Sequence, residues 1–296
     1  MDIVADTTSY CAQFLNSKSP GVYRRIIENC RDIGRDALKR DYYVPPTLKK
    51  MEYKQYNGAG IIAINRTQQE FCARGRRMDA VIGKERVMSA PDLHLAVLVD
   101  NSDQMTAWAR SVMLGRKIPV ERAPLTLAKI ATIALFEEIR DAQTRSLITF
   151  GSGVDTYDHI DYKRLLAENG SGCCRLDLAL AELLRMRWDI RKGERQLIIL
   201  SSMPPDTGTG VLLDEIGVQE ASLIYMRRMA KNGVRILYLP IFTQMELVDT
   251  KIGACSSRNF AQRIHKLGIA VSLIGRSDTF VPAMRVGIKQ MLKRAV

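Results

Sequence analysis

The amino-acid sequence predicts an α/β fold: a doubly wound, mostly parallel sheet flanked by helices, joined to a mainly helical N-terminal region. Two observations carry the prediction. From about residue 92 onward, short apolar runs alternate with longer stretches of helical periodicity, the pattern of strand–crossover–strand units. The first run, "LHLAVLVD", is apolar nearly throughout, as a strand buried on both faces must be.

In chain order, "PGVYRRIIENCRDIGRDALKR" repeats apolar residues at Val22, Ile26, Ile27, Ile33 and Leu38 and predicts one helix. "DYYVPPTLKKMEYKQYNGAG" is basic, extended and interrupted by prolines. Residues 1–90 therefore form a basic, partly helical N-terminal region, and residues 91–296 the α/β domain. In that domain "LHLAVLVD", "RSLITFGS", "RQLIILSS", "VRILYLPI" and "IAVSLIG" are strands. The helices are "LTLAKIATIALFEEIRDA", "RLDLALAELLRMRWDI", "EASLIYMRRMAKNG", "NFAQRIHKLG" and "TFVPAMRVGIKQMLKRA". Asn-Gly at the end of the third helix supplies a left-handed cap.

Composition narrows the function classes. Hydrophobic residues make up 46% and charged residues 26%, a globular balance. No apolar run reaches the roughly 18 residues that span a bilayer. The start, "MDIVADTTSYCAQF", carries an acid where a signal peptide needs positive charge, so a cytoplasmic protein is expected. Six cysteines form no CxxC pair and fit buried small hydrophobes. The formal charge of +12 attracts anionic partners. The basic residues are dispersed and do not alternate with aromatic rings, so charge alone makes nucleic acid the alternative partner. The excess can also reflect the proteome of a heat- or acid-adapted host.

In a doubly wound sheet, ligands bind beyond the carboxyl ends of the strands. Three segments bring small or polar residues there: "DNSDQM" after the first strand, "ENGSGCCRLDLAL" opening a helix, and "LSSMPPD" after the third strand. Together they resemble the von Willebrand factor type A (vWA) domain over roughly residues 92–296. That family's metal-ion-dependent adhesion site reads Asp-x-Ser-x-Ser after the first strand, with a Thr in a second loop and an Asp after a later strand. Asp100 and Ser102 match the first motif, Gln104 replaces its second serine, Cys174 falls on the threonine and Ser202 on the aspartate. The resemblance implies Mg²⁺ as cofactor at Asp100, Ser102 and Gln104, in a site degenerate as a metal centre. A soft thiol at Cys174 suits Mg²⁺ poorly, and Ser202 removes a carboxylate that Asp103, Asp177 or Asp206 would have to replace.

For Asp100 two readings stand: contact with a metal or partner, or a cap on backbone N–H groups. Capping suits Ser102, and a solvated role suits Gln104. Ser201 and Ser202 also fit a plain strand end. Cys173 and Cys174 are adjacent, poorly placed to bridge each other, and fit a tight loop or a redox-sensitive spot. No P-loop, nucleophile elbow or HExxH motif occurs, and His94, His159 and His265 lie far apart. A non-enzymatic interaction module is expected. The resemblance extends to cytoplasmic vWA proteins that serve MoxR-type AAA+ ATPases, which implies a protein partner held at Asp103, Cys174, Arg175, Asp177, Ser201, Ser202 and Asp206. A nucleic-acid-associated vWA protein, binding through residues 20–90, is the alternative.

Overall fold

The structure is a computed structural model that describes residues 20–33, 51–55, 61–62, 82–86, 93–108, 111, 114–115, 117–138, 144–157, 162–202, 204–241 and 257–293. The chain divides into two compact units, residues 42–91 and the rest. In the smaller unit β1 (Met51–Gln55), β2 (Ile61–Ile62) and β3 (Ile82–Arg86) form an antiparallel sheet ordered β1-β3-β2. Strand β1 falls within the segment expected to be extended, whereas β2 and β3 were not among the expected elements. "MEYKQ" alternates in character residue by residue, the two-residue period of a strand.

In the larger unit, a six-stranded sheet is built from β4 (Leu93–Asp100), β5 (Thr144–Phe150), β6 (Val154–Tyr157), β7 (Glu194–Ser202), β8 (Arg235–Ile241) and β9 (Ala270–Val271). Its order is β6-β5-β4-β7-β8-β9, and only β6 runs antiparallel. This is the expected doubly wound, vWA/Rossmann-like class. The edge strand β6 was not anticipated. It forms because "GSG" turns the chain directly back onto β5.

Alternate residues of each central strand feed two cores. Leu95, Val97 and Val99 of β4 face one core with α1 (Pro20–Ile33), α2 (Pro124–Glu138), α3 (Tyr162–Ala167) and α7 (Phe280–Lys293). Ala96 and Leu98 face the other with α4 (Leu176–Arg185), α5 (Leu212–Lys231) and α6 (Ser257–Lys266). Helix α1 buries Ile27 in the first core and so groups with the α/β unit, a different division from the one drawn at residue 90. Helix α2 starts on Pro124, where a missing N–H costs nothing, and Leu125–Phe136 is buried throughout.

Helix α5 begins eight residues before the expected "EASLIYM". Asp214 and Glu215 in its first turn favour the positive end of the helix. Gly233 beyond its end sits at φ +80, the left-handed conformation anticipated there. Helix α4 stops earlier than expected, at Arg185, and Arg187 adopts φ 51, the one non-glycine residue with positive φ among those described. The last strand shrinks to Ala270–Val271 plus a bridge from Ile274 to Ile241. His94 is buried, with its ring nitrogens 2.7 Å from Thr144 Oγ1 and 2.7 Å from the Lys192 carbonyl, a structural role.

Candidate functional site

The chain leaves β4 toward β5 on one side, while β7 lies on the other. A crevice therefore opens beyond the carboxyl end of β4, at the switch point of the sheet. Asp100 ends β4 there, and Ser201 and Ser202 end β7 beside it. All three are fully buried. One oxygen of Asp100 accepts the Ser102 N–H at 2.8 Å. The other accepts the Ser202 N–H at 2.7 Å, the Ser202 hydroxyl at short range and the Ser201 hydroxyl at 3.5 Å. A buried carboxylate is tolerated only with such partners, and here it bonds the ends of two neighbouring strands together. The expected capping of Ser102's own N–H by Asp100 is present. The Ser102 hydroxyl makes no cap bond and lies 3.4 Å from that of Ser202.

The glycine loop from Glu168 to Arg175 is tied onto this base by backbone. Ser171 N–H donates to the Asn101 carbonyl at 2.8 Å, and Asp103 N–H to the Gly172 carbonyl at 3.1 Å. Asp103 accepts the Gly172 N–H in return at 3.0 Å. The approach is so close that a Cβ on Gly170 would lie 2.8 Å from the Ser102 carbonyl oxygen, and one on Gly151 would lie 2.6 Å from that of Ser171. Glycine is required at both for space.

Gln104 and Asp206 meet across the crevice, with the amide nitrogen donating to the carboxylate. Asp206 also accepts the Gly208 N–H at 3.0 Å and the Cys174 N–H at 3.4 Å. Burial raises its pKa, and these hydrogen bonds oppose the shift. Cys174 is fully buried, 3.3 Å from the Ser201 hydroxyl, and its thiol is pushed well up by burial and by the Asp100 charge. Arg175 clasps Asp177 through two hydrogen bonds of 2.9 and 2.8 Å, and this carboxylate raises its pKa. The expected partner-binding residues thus gather at one edge. Asp103 is exposed and Arg175 half-buried; Cys174, Asp177, Ser201, Ser202 and Asp206 are buried.

The donor set does not fit the Mg²⁺ that the resemblance implies. Magnesium takes roughly six hard oxygen ligands in a tight octahedron. Both oxygens of Asp100 are engaged by protein donors, and Ser202 contributes two of them from the position where the family carries a carboxylate. Burial pushes the Cys174 thiol well up, away from the thiolate form that binds metals. Gln104 turns its nitrogen toward Asp206, and its oxygen is buried without a partner. Among the described residues no group of three or more His, Cys, Asp or Glu is placed to hold a metal.

A second polar cluster, which motif reading missed, supports the loop from behind. Lys129 of α2 is buried and donates to the Glu168 carbonyl. The Glu168 carboxylate accepts the Tyr157 hydroxyl, and the Asn101 amide at 3.3 Å. Burial pushes Lys129 down to about 8, with Glu168 pulling the other way. Glu168 is raised by burial, against Lys129 and a hydrogen bond from Thr149. The signal was a lone lysine inside an otherwise apolar helical stretch, "LTLAKIATIALF".

No protein-family model matches the chain, and no curated protein matches it. Several solved structures are similar. The PilB minor pilin of Streptococcus sanguinis is 8% identical with a TM-score of 0.44, over 72% of this chain and 63% of the pilin. The open form of the pilus adhesin SpaC from Lactobacillus rhamnosus GG is 14% identical with a TM-score of 0.45, over 69% of this chain and 30% of the adhesin. The manganese-loaded TRAP protein of Plasmodium vivax is 16% identical with a TM-score of 0.37, over 67% of this chain and 73% of TRAP. This chain spans less than two thirds of the pilin and of the adhesin. The fold class rests on the chain's own sheet order. Among the described residues no helix is long and apolar enough to cross a membrane.

Proposed function

We propose that the protein is a non-enzymatic interaction module that binds a protein partner at the carboxyl edge of its sheet, without a metal. The burial of the polar groups there supports this reading most directly. Asp100, Ser102, Cys174, Ser201 and Ser202 are fully buried and face one another, so no nucleophile–base pair among them is open to substrate. The backbone ties hold the loops in one shape, and a preordered surface loses little conformational entropy on docking. The exposed face is small and polar, with Asp103, Ser152, Ser171 and Gly172 at its centre.

The resemblance makes a MoxR-type AAA+ ATPase the first partner to try, with this protein as adaptor between the ATPase and its client. Binding to such an ATPase is measured by interferometry for the wild type and for Ser171→Trp, which adds bulk at the centre of the face. A loss of about tenfold in Ser171→Trp, with Lys289→Glu on α7 unchanged, supports the reading. Equal binding by Ser171→Trp sinks it.

The alternative, nucleic acid, gains one observation of its own. Arg187, Lys192, Lys231, Lys266 and Lys293 follow or end α4 to α7, are exposed, and hold no ion pair among the described residues. Each helix end offers about half a negative charge, less than these five cations bring. The expected surface was residues 20–90, where the described side chains belong to α1 alone. Affinity for a labelled single strand that does not fall steeply with salt argues against this reading.

A further inference from the structure

Away from the carboxyl-edge crevice, a cleft of about 650 Å³ is lined by α1, by α2 with the turn before it, and by α7 with the turn before it. Three arginines line it, each from a different element: Arg25, Arg122 and Arg285. None of the three holds an ion pair with a described residue. The one described acid in the lining, Asp278, is paired with Arg276 at 3.3 Å. The rest of the lining is largely apolar, with Ile26, Leu127, Val281 and Val286 among it.

Like charges gathered around one concavity repel one another, and the one acid in the described lining, Asp278, is already engaged by Arg276. Guanidinium is also the group that grips phosphate and carboxylate through paired N–H donors. Three such groups outweigh the single charge of a carboxylate. A phosphate monoester brings about −1.5 to −2 at neutral pH and three acceptor oxygens. The volume is that of a small-molecule site, where apolar walls hold the body of a ligand and a few polar groups fix its head.

We propose that this cleft binds a small organic phosphate monoester, its phosphate held by Arg25, Arg122 and Arg285 and its apolar body against Ile26, Leu127 and Val281. The site is separate from the partner-binding edge, and either reading can fail without the other.

Calorimetry with phenyl phosphate tests the proposal on the full chain. The expected result is saturable binding that weakens about tenfold or more in Arg285→Gln and in Arg122→Gln. Lys289→Gln, on the same helix outside the lining, leaves it within about twofold. Arg285→Lys recovers only part of the loss, since an ammonium cannot form the paired contact. Inorganic phosphate binds at least about tenfold more weakly, because it leaves the apolar wall unused. The arginines are exposed, and circular dichroism confirms that each variant is folded. Absence of saturable binding up to about 10 mM overturns the proposal, as does an equal loss in Lys289→Gln or inorganic phosphate binding as tightly as phenyl phosphate. A phosphotyrosine pentapeptide that binds about tenfold more tightly than phenyl phosphate also overturns it, in favour of a phosphorylated partner chain.

Discussion

Gln104 gives its amide nitrogen to Asp206 while the oxygen of the same amide lies buried without a partner. Asp206 prefers its proton more than a free aspartate does, because burial raises its pKa above 3.8. The two facts fit together. A neutral group at position 206 can donate to the Gln104 oxygen once the amide turns over.

Asp206→Asn is therefore expected to leave thermal stability at pH 7 within about 1 kcal/mol of wild type, or to raise it. Asp206→Ala leaves the Cys174 and Gly208 N–H groups and Gln104 unpaired and costs about 1–3 kcal/mol. The sign with pH follows from the raised pKa. The contribution of Asp206 is fully present below 3.8 and is lost as pH rises through the folded value. Urea melts across the acid range should show that slope in wild type and a flatter one in Asp206→Asn.

Asp100→Asn places an amide N–H₂ against donors from Ser202 and removes the charge that strengthens each bond. A loss of about 2–4 kcal/mol is expected in urea unfolding. A change below about 0.5 kcal/mol would show that the carboxylate does not hold β4 and β7 together.

Mg²⁺ added to the wild type is expected to leave its melting temperature unchanged at millimolar concentration, since a bound ion would stabilise the folded state by mass action. A saturable rise abolished in Asp100→Ala would restore the adhesion-site mechanism.

Lys129 is held down to about 8 by burial. Its charged form is costly in the folded state, so the stability of wild type relative to Lys129→Met should rise between about pH 8 and the ordinary lysine value of 10.5. The rise is at most about 3–4 kcal/mol. A flat difference across that window refutes the assignment.

Much of this molecule was legible from periodicity. "LHLAVLVD" declared itself as a central strand because both its faces are buried, and its last residue landed at the sheet's edge for the same reason. What sequence could not give was the state of the groups that meet there. Whether Asp100 faces an ion or the hydroxyl of Ser202 depends on two strands 102 residues apart in the chain. Lys129 and Glu168 were invisible as a pair because helix and loop meet only through packing. The start of α5 was missed because "VLLDEIGVQ" mixes apolar and acidic residues without a clear stripe.

The sheet of the larger unit ends on one side in the four-residue β6 and on the other in the two-residue β9. Exposed strand edges are where soluble proteins recruit each other's backbone. With borders this short, little unpaired ladder is offered to a neighbour, and β4 at the centre lies between the seven-residue β5 and the nine-residue β7. Crowding at high concentration should then produce contacts through side chains and loops, leaving the six-stranded ladder complete in itself.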